Sequence, residues 1–296
     1  MGGIVRLCDE RLTIQRELTP GGGFNTSGAS VGVPVVSGGF FMRPVIRWIS
    51  PVTDAVTYEN RNMQAGPRWF EGVLRTQLLP ECGLLLEGAT ERTDDKADTF
   101  AMHYETPAGD FEYKGVGINV AVLSASIAPE TPEVMAAFRF LALTGGTAST
   151  MSAASCGTSV PFTWCQSALT VGASVGNAES WQLVYNNHLK PGYPVAGGTS
   201  SSMTAGIQDV ALTVQGWQED AEKMNLAIMG NDVDCRLRLT HTATTAGGAI
   251  TFAAPTAKLS EIQPSVEAEP PGREQYVLTA QRGGTGGQAS LTIGNL

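Results

Sequence analysis

The residues able to do chemistry are few and scattered. His103, His188 and His241 show neither an HExxH nor an HxH spacing that would turn two imidazoles toward one metal ion. Cys8, Cys82, Cys156, Cys165 and Cys235 include no CxxC pair, and their odd number leaves any disulfide framework incomplete. Cys156 and Cys165 are near enough in sequence to bridge a loop, but buried free thiols suit the pattern better. Ser155-Cys156-Gly157 offers a nucleophile, yet a catalytic cysteine needs a base held beside it, and the sequence places none. The acid pairs Asp94/Asp95, Glu219/Asp220 and Asp232/Asp234 have the charge for a divalent cation but read as solvated loop residues. Gly283 to Gly287 has the composition of a phosphate loop, but no amphipathic helix follows to supply the dipole. Trp48, Trp69, Trp164, Trp181 and Trp217 present faces for a sugar or a base. Without basic residues between them, they read as core or interface anchors. No catalytic residue, metal ligand or cofactor is predicted.

What remains is backbone. In Thr99–Phe140, Phe100, Met102 and Tyr104 alternate with Ala101, His103 and Glu105. The turn signal Thr106-Pro107-Ala108-Gly109-Asp110 follows, and then Phe111 and Tyr113 alternate with Glu112 and Lys114. Val116, Ile118, Val120 and Val122 continue the period of two, and Val134, Ala136, Phe138 and Phe140 resume it. That period means strands with one buried face. A long antiparallel hairpin with further strands is therefore expected, and such a sheet has edges that something must cover.

The composition agrees with covered edges. Charged residues make up 16% of the 296-residue chain, against about 25% in ordinary soluble domains. Burial between subunits and a Gly/Thr/Ser-rich secreted protein are both compatible with that shortage. The net charge is −9, divided as −5 over residues 1–148 and −4 over 149–296. No basic run exists to grip nucleic-acid phosphates. The N-terminal segment carries charges without a long apolar core, and no run of about 18 apolar residues occurs, so neither a signal peptide nor a membrane span is expected. A reducing cytoplasm is the expected site of synthesis.

Along the chain, Ile4, Leu7, Ile14 and Leu18 suggest a weak helical stripe. Gly21–Gly39 is too long for an ordinary connection. Its Phe24, Val31, Val33, Val35 and Val36 suggest an arm that orders against a neighbour, making residues 1–39 an N-terminal segment and arm. Phe40–Tyr58 reads as an edge strand because of Pro44 and Pro51, and Trp69–Leu79 as another strand. Pro80–Glu87 reads as a short helix ended by Gly88, followed by the charged loop Glu91–Asp98. Residues 40–148 form one β domain in this reading. After a connection over Thr144–Gly176 and a flexible stretch at Gly197–Gly206, strands are expected at Glu179–Val184, Val210–Trp217, Met224–Met229, Val233–Leu239, Ile250–Phe252, Tyr276–Ala280 and Leu291–Ile293. Residues 149–296 are thus a second β-rich domain. The hairpin from Cys235 through Ala246-Gly247-Gly248 to Phe252 echoes the first, without a residue-level repeat.

Three stretches in this order resemble the tail tube (major tail) proteins of long, flexible-tailed bacteriophages. They are Phe70–Leu74 through Leu79–Leu86, Thr99-Phe100 with Tyr113–Val116 and Val120–Leu123, and Val134–Leu141. The resemblance covers about residues 40–145. The chain departs from the family in size, since one tube domain fills about half of it. The resemblance implies a mainly β, tail-tube-type sandwich or barrel with a short helix near 80–88 and room for two tandem tube-like domains. Its inner sheet would be shared between subunits in stacked rings, three chains closing a ring if both halves are tube domains and six if only one is. It also implies partners: other copies of the chain, a tape measure protein, and terminator and tip proteins. Double-stranded DNA would slide through an acidic lumen without specific binding. The setting implied is a virion tail assembled in the host cytoplasm, with no membrane and no catalysis. Phe24, Val35, Trp48, Trp69, Phe111 and Tyr113 are the expected assembly contacts. The rival readings are a β-sandwich carbohydrate-binding or adhesion module using Trp164 and Trp181, and a hydrolase with a dispersed site.

Overall fold

The computed structural model describes residues 10–294 apart from 26–27, 36–38, 50–63, 91, 94–95, 107–108, 129–131, 148–153, 155–158, 173, 176–177, 193–201, 218–227, 242–247, 265–272 and 282–289. The first half contains β1 (Arg11–Arg16), β2 (Ser30–Pro34), β3 (Phe40–Ile49) and β4 (Gln64–Gln77). A 3-10 turn at Pro80–Cys82 then leads into α1 (Gly83–Thr90). The short pair β5 (Arg92–Thr93) and β6 (Lys96–Ala97) follows, and then β7 (Phe100–Thr106), β8 (Gly109–Ser126) and β9 (Met135–Thr147). The second half contains β10 (Ser167–Val171), β11 (Ser174–Val175), β12 (Ala178–Asn186), β13 (Lys190–Gly192), β14 (Ser202–Thr204), β15 (Asp209–Trp217), β16 (Asp232–Thr240), β17 (Ala249–Pro264), β18 (Arg273–Gln281) and β19 (Ser290–Gly294). The protein is mainly β, a sandwich built on one large antiparallel sheet.

One set of pairings occurs twice. In the first half β1 pairs β2 and β7, β3 pairs β4, β4 pairs β9, and β8 pairs β7 and β9. In the second, β10 pairs β11 and β16, β12 pairs β15, β15 pairs β18, and β17 pairs β16 and β18. The single strand β9 of the first half is matched by two, because β17 pairs β18 with its later residues and β19 with its earlier ones. The halves join where the later part of β8 pairs β12, from Val120↔Asn186 to Ser126↔Ser180.

Long strands can serve two neighbours because they carry bulges, which bend a strand and re-aim its residues. β8 holds β7 as far as Val116 and β12 from Val120, and its register against β9 shifts between Ile118 and Val120. That shift corrects the simple alternation expected from the sequence. Beyond Asn119 it is Ala121, Leu123 and Ala125 that are buried, not Val120 and Val122.

The main core gathers Leu12, Ile14, Val33, Leu74, Phe100 and Phe138 from the first half with Leu183, Leu212, Leu237 and Tyr276 from the second. α1 buries Leu85, Leu86 and Ala89 in it. Gly88 does not end this helix as expected; it lies inside it, where a Cβ would stand 2.2 Å from the Phe100 ring. Glycine therefore lets the ring pack flush on the helix.

Other local expectations also change. Ile14 lies in β1, so no helical stripe forms there, and residues 1–9 fall outside the description. Val33 and Val35 of the expected arm are fully buried in the chain's own core, with Ser30–Pro34 paired to β1. Within the charged loop, β5 and β6 pair. Met203 of the expected flexible stretch is buried on β14 against β13. The connection after Thr144 carries the end of β9, then β10 and β11. Residues 224–227 lie outside the description, and Ile228 and Met229 are exposed.

Candidate assembly interface

Eight strands form one continuous ribbon in the order β3-β4-β9-β8-β12-β15-β18-β17. Its residues register across strands in rows. Thr76, Ala136 and Leu123 of the first half run directly into Leu183, Leu212, Leu278 and Leu259 of the second, all buried. A second row runs from Phe40, Leu74, Phe138 and Ala121 into Tyr185, Val210 and Ala280, again all buried. Period-two side chains on matched registers make one face of the whole ribbon apolar.

The opposite face is different in kind. One of its rows reads Arg75, Ala137, Val122, Val184, Ala211, Thr279, Lys258, and the next reads Gln77, Met135, Ser124, Gln182, Thr213, Val277, Glu261. Only Arg75, Lys258 and Glu261 in these rows carry charge. A shallow depression of about 310 Å³ crosses this face at the join between the halves, over Ser124, Ser126, Ser180, Gln182 and Thr213.

Polar side chains secure the join. The Asn187 amide donates to the carbonyls of Ala89 and Ile118 at 2.9 and 2.8 Å. The Gln208 amide donates to the same Ala89 carbonyl and to Asn187 Oδ1, both at 2.9 Å. Both side chains are 2% exposed. The end of α1, whose last carbonyls lack helical partners, is thus satisfied by residues of the other half. Asn119, at the β8 bulge, accepts from Asn187 N–H through its carbonyl at 2.8 Å and from Leu189 N–H through Oδ1 at 2.7 Å. Nothing in the sequence singled out Asn119, which falls on the alternate positions of the Val116–Val122 period where a polar residue is ordinary.

The ribbon has two open ends. Among the described residues β3 pairs only β4, and β17 beyond Lys258 pairs only β18. Phe41 and Ile46 on β3 are 52% and 40% exposed.

The expected assembly residues fall in different places. Val35 and Tyr113 are buried in the chain's own core, Tyr113 with its ring edge-on to Phe70 at 5.7 Å and to Phe40 at 6.4 Å. Burial also holds the Tyr113 hydroxyl above its usual pKa. Phe24 and Phe111 are half-buried. Trp69 is half-buried against the small cluster of Leu141, Leu143, Leu189 and Met203, and its indole donates to Glu71 at 3.0 Å. Trp48 lies on β3 opposite Ala65. Two of the six, Val35 and Tyr113, are thus taken up by the chain's own main core.

The remaining candidates are dispersed too. His103 is buried on β7, His188 meets Asp209 at 2.6 Å, and His241 meets the Val160 carbonyl at 2.6 Å. Among the described residues no group of three His, Cys, Asp or Glu side chains is placed to hold a metal ion. Ser155, Cys156, Asp94, Asp95, Glu219, Asp220 and Gly283–Gly287 lie outside the description. Cys165 is a free, exposed thiol, while Cys82 and Cys235 are free and buried. Burial pushes each of these two thiols up to about 12. Trp181 is 2% exposed and offers no open stacking face for a sugar, and Trp164 is partly buried against the core. No described helix is long and apolar enough to cross a membrane.

Together these features define a β protein with an internally repeated sheet, one buried apolar face, one face of mixed polar and small apolar residues, and two edges without a second neighbour among the described residues. The family model described as phage tail tube protein matches residues 12–292, spanning both halves of the ribbon. No curated protein matches the chain. The chain belongs to the phage tail tube protein family, a structural class of virion component.

Proposed function

We propose that this tail tube protein closes into rings that stack as a hollow conduit for double-stranded DNA, with the polar ribbon face lining the bore. The observation that carries this is the ribbon itself: its buried rows cross both halves without a step and then stop at edges that have no further partner among the described residues. A sheet that ends this way is completed at least cost by another copy of itself. The two halves, residues 40–148 and 149–296, act as tandem tube domains, with β1 and β2 of the N-terminal segment 1–39 paired onto the first through β7. Three chains then supply the ring that six single-domain chains would otherwise form.

The two rows on the bore face carry two cations and one anion, so the wall is close to neutral, not acidic as expected. DNA meets no lysine or arginine array able to displace its counterions, which suits passage without gripping. The tape measure, terminator and tip proteins implied by the family likeness would nucleate and end the polymer in the host cytoplasm, where free thiols persist. Phe24, Trp48, Trp69 and Phe111 remain candidates for contacts between copies.

Electron microscopy of the purified chain, alone and with its nucleating partners, is expected to show rings or tubes. A monomer under every condition would overturn the reading.

A further inference from the structure

The join between the halves supplies a template for the join between chains. The repeat holds at single-residue resolution along the long strands. β7 shifts register on β8 between Phe100 and Met102, which face Val116 and Tyr113. β16 shifts on β17 between Val233 and Cys235, which face Ala257 and Ala254. The next shift falls after Ile118 on β8 and after Leu259 on β17. Tyr113 with Ala254, Val116 with Ala257 and Ile118 with Leu259 are each 141 residues apart. Two bulges at one spacing fix the correspondence, because a bulge resets the register of everything beyond it.

The correspondence extends across the ribbon. Phe40, Leu74, Phe138 and Ala121 form one row, and Trp181, Val214, Tyr276 and Ile262 form its counterpart. Thus β3 stands to the first half as β12 stands to the second. Within the chain, β8 holds β12 with Ala121 opposite Tyr185 and Leu123 opposite Leu183. The equivalent stretch of β17 begins at Glu261 and has no second neighbour among the described residues, and neither has β3.

We propose that β3 of one copy pairs antiparallel with the end of β17 in the next, Pro44 opposite Ile262 and Met42 opposite Pro264, repeating between chains the β8–β12 join. The proposal rests on the tube reading above and specifies the seam.

The prolines support this register. Gly39 accepts from Arg75 N–H at 2.6 Å. Odd-numbered residues of β3 therefore bond inward to β4, and the even-numbered Phe40, Met42, Pro44 and Ile46 turn their backbone groups to the open edge. Pro44 has no N–H to offer there, and Pro264 stands at the equivalent of outward-bonding Leu123, as a strand proline must. In the proposed register the two prolines never face each other. Met42 N–H donates to the Pro264 carbonyl, and Ile262 N–H to the Pro44 carbonyl, so each rung keeps one bond. Sliding by two residues to set Pro44 against Pro264 would leave that rung with none. The prolines thus discourage random strand addition at either edge while permitting this one. Arg43 also comes diagonal to Glu261, an opposite-charge neighbour, and the exposed Phe41 and Ile46 gain a neighbouring strand.

Arg43 and Gln263 would face each other as a non-hydrogen-bonded pair, with Cβ atoms about 4.5–5.5 Å apart and so near disulfide reach. Assembled full-length chain carrying Arg43→Cys and Gln263→Cys should lose its monomer band on a non-reducing gel after mild oxidation, with the parental chain as blank. The offset pair Val45→Cys and Gln263→Cys should stay largely monomeric. Tubes that cross-link equally through the offset pair, or through neither, would overturn the seam and leave the tube reading standing. Failure of the parental chain to form any ring or tube with its partners would overturn both. A second variant, Ile262→Pro, deletes the outward N–H along with a side chain packed against the core, so it should fold with a somewhat lowered melting temperature and lose assembly, whereas Ile262→Ala, which keeps the N–H, should still assemble. Normal assembly by Ile262→Pro would count against the seam.

Discussion

Single side chains in this protein close gaps that the backbone alone would leave open. Glu17, 8% exposed, accepts from Gly21, Gly23 and Gly115 N–H at 2.9, 3.0 and 3.0 Å. Gly115 has φ +61, a turn of backbone that suits glycine and aims its N–H at the carboxylate. Glu17→Ala would strand the buried Gly23 and Gly115 donors, at about 1–3 kcal/mol for each left unsatisfied, while the exposed Gly21 N–H can turn to water. Urea unfolding should show a loss of at least about 2 kcal/mol, with Glu17→Gln losing less because one acceptor oxygen remains. Glu17 was not legible in the sequence, since its partners are backbone groups 4, 6 and 98 residues away. The thiols give a second prediction at this scale. Burial raises Cys82 and Cys235 from 9.0 to about 12, so the folded chain holds those protons more tightly than the unfolded one. Their contribution is complete below pH 9 and is lost as pH rises toward about 12. An aromatic disulfide reagent at pH 8 should label Cys165 in the folded protein, and Cys82 and Cys235 only on unfolding.

At the scale of elements, legibility followed local period. The hairpin of β7 and β8, the strand β9 and the strands β15, β16 and β18 were readable because alternation and turn residues coincide there. β1 was misread because its alternation, Leu12 and Ile14 against Thr13 and Gln15, spans only four residues, and Ile14 also fits the wider helical spacing of Ile4, Leu7 and Leu18. β2 was hidden by its glycine-rich surroundings, which Gln15 organises: its amide donates to the Asn25 and Gly28 carbonyls at 2.8 and 2.7 Å, and Oε1 accepts from Asn25 N–H at 2.7 Å. Sequence alone suggests that deleting residues 21–37 would leave the fold intact. With Val33 and Val35 fully buried, the deletion should instead lower the melting temperature by several degrees or more, read by circular dichroism. Phe138→Asp, at a fully buried centre of β9, should abolish soluble expression, since an unpaired charge there has no partner.

At the scale of the whole molecule, the repeat was invisible as sequence because it lies in pairings and bulges. Phe40 answers to Trp181 and Phe138 to Tyr276, and such exchanges preserve burial without preserving identity. A ring closed through the proposed lateral seam would still have two ends to stack, and those ends would differ, because head-to-tail growth uses two unlike surfaces. The ribbon shows such a pair. Ile127 follows the last residue of β8 beside the start of β12 and is 61% exposed, with Trp217 at the same end 38% exposed. At the other end Ile207 precedes β15 and is 71% exposed. Neither isoleucine supports the core, so charge at either should change stability by no more than about 0.5 kcal/mol. If these ends meet in the tube, Ile207→Asp and Ile127→Asp should each yield folded chains that close into single rings and fail to stack. Negative-stain images and sedimentation would separate rings from tubes. Tubes of normal length from both variants would place the axial contact elsewhere, whereas loss of rings as well would mean that these residues serve the lateral seam.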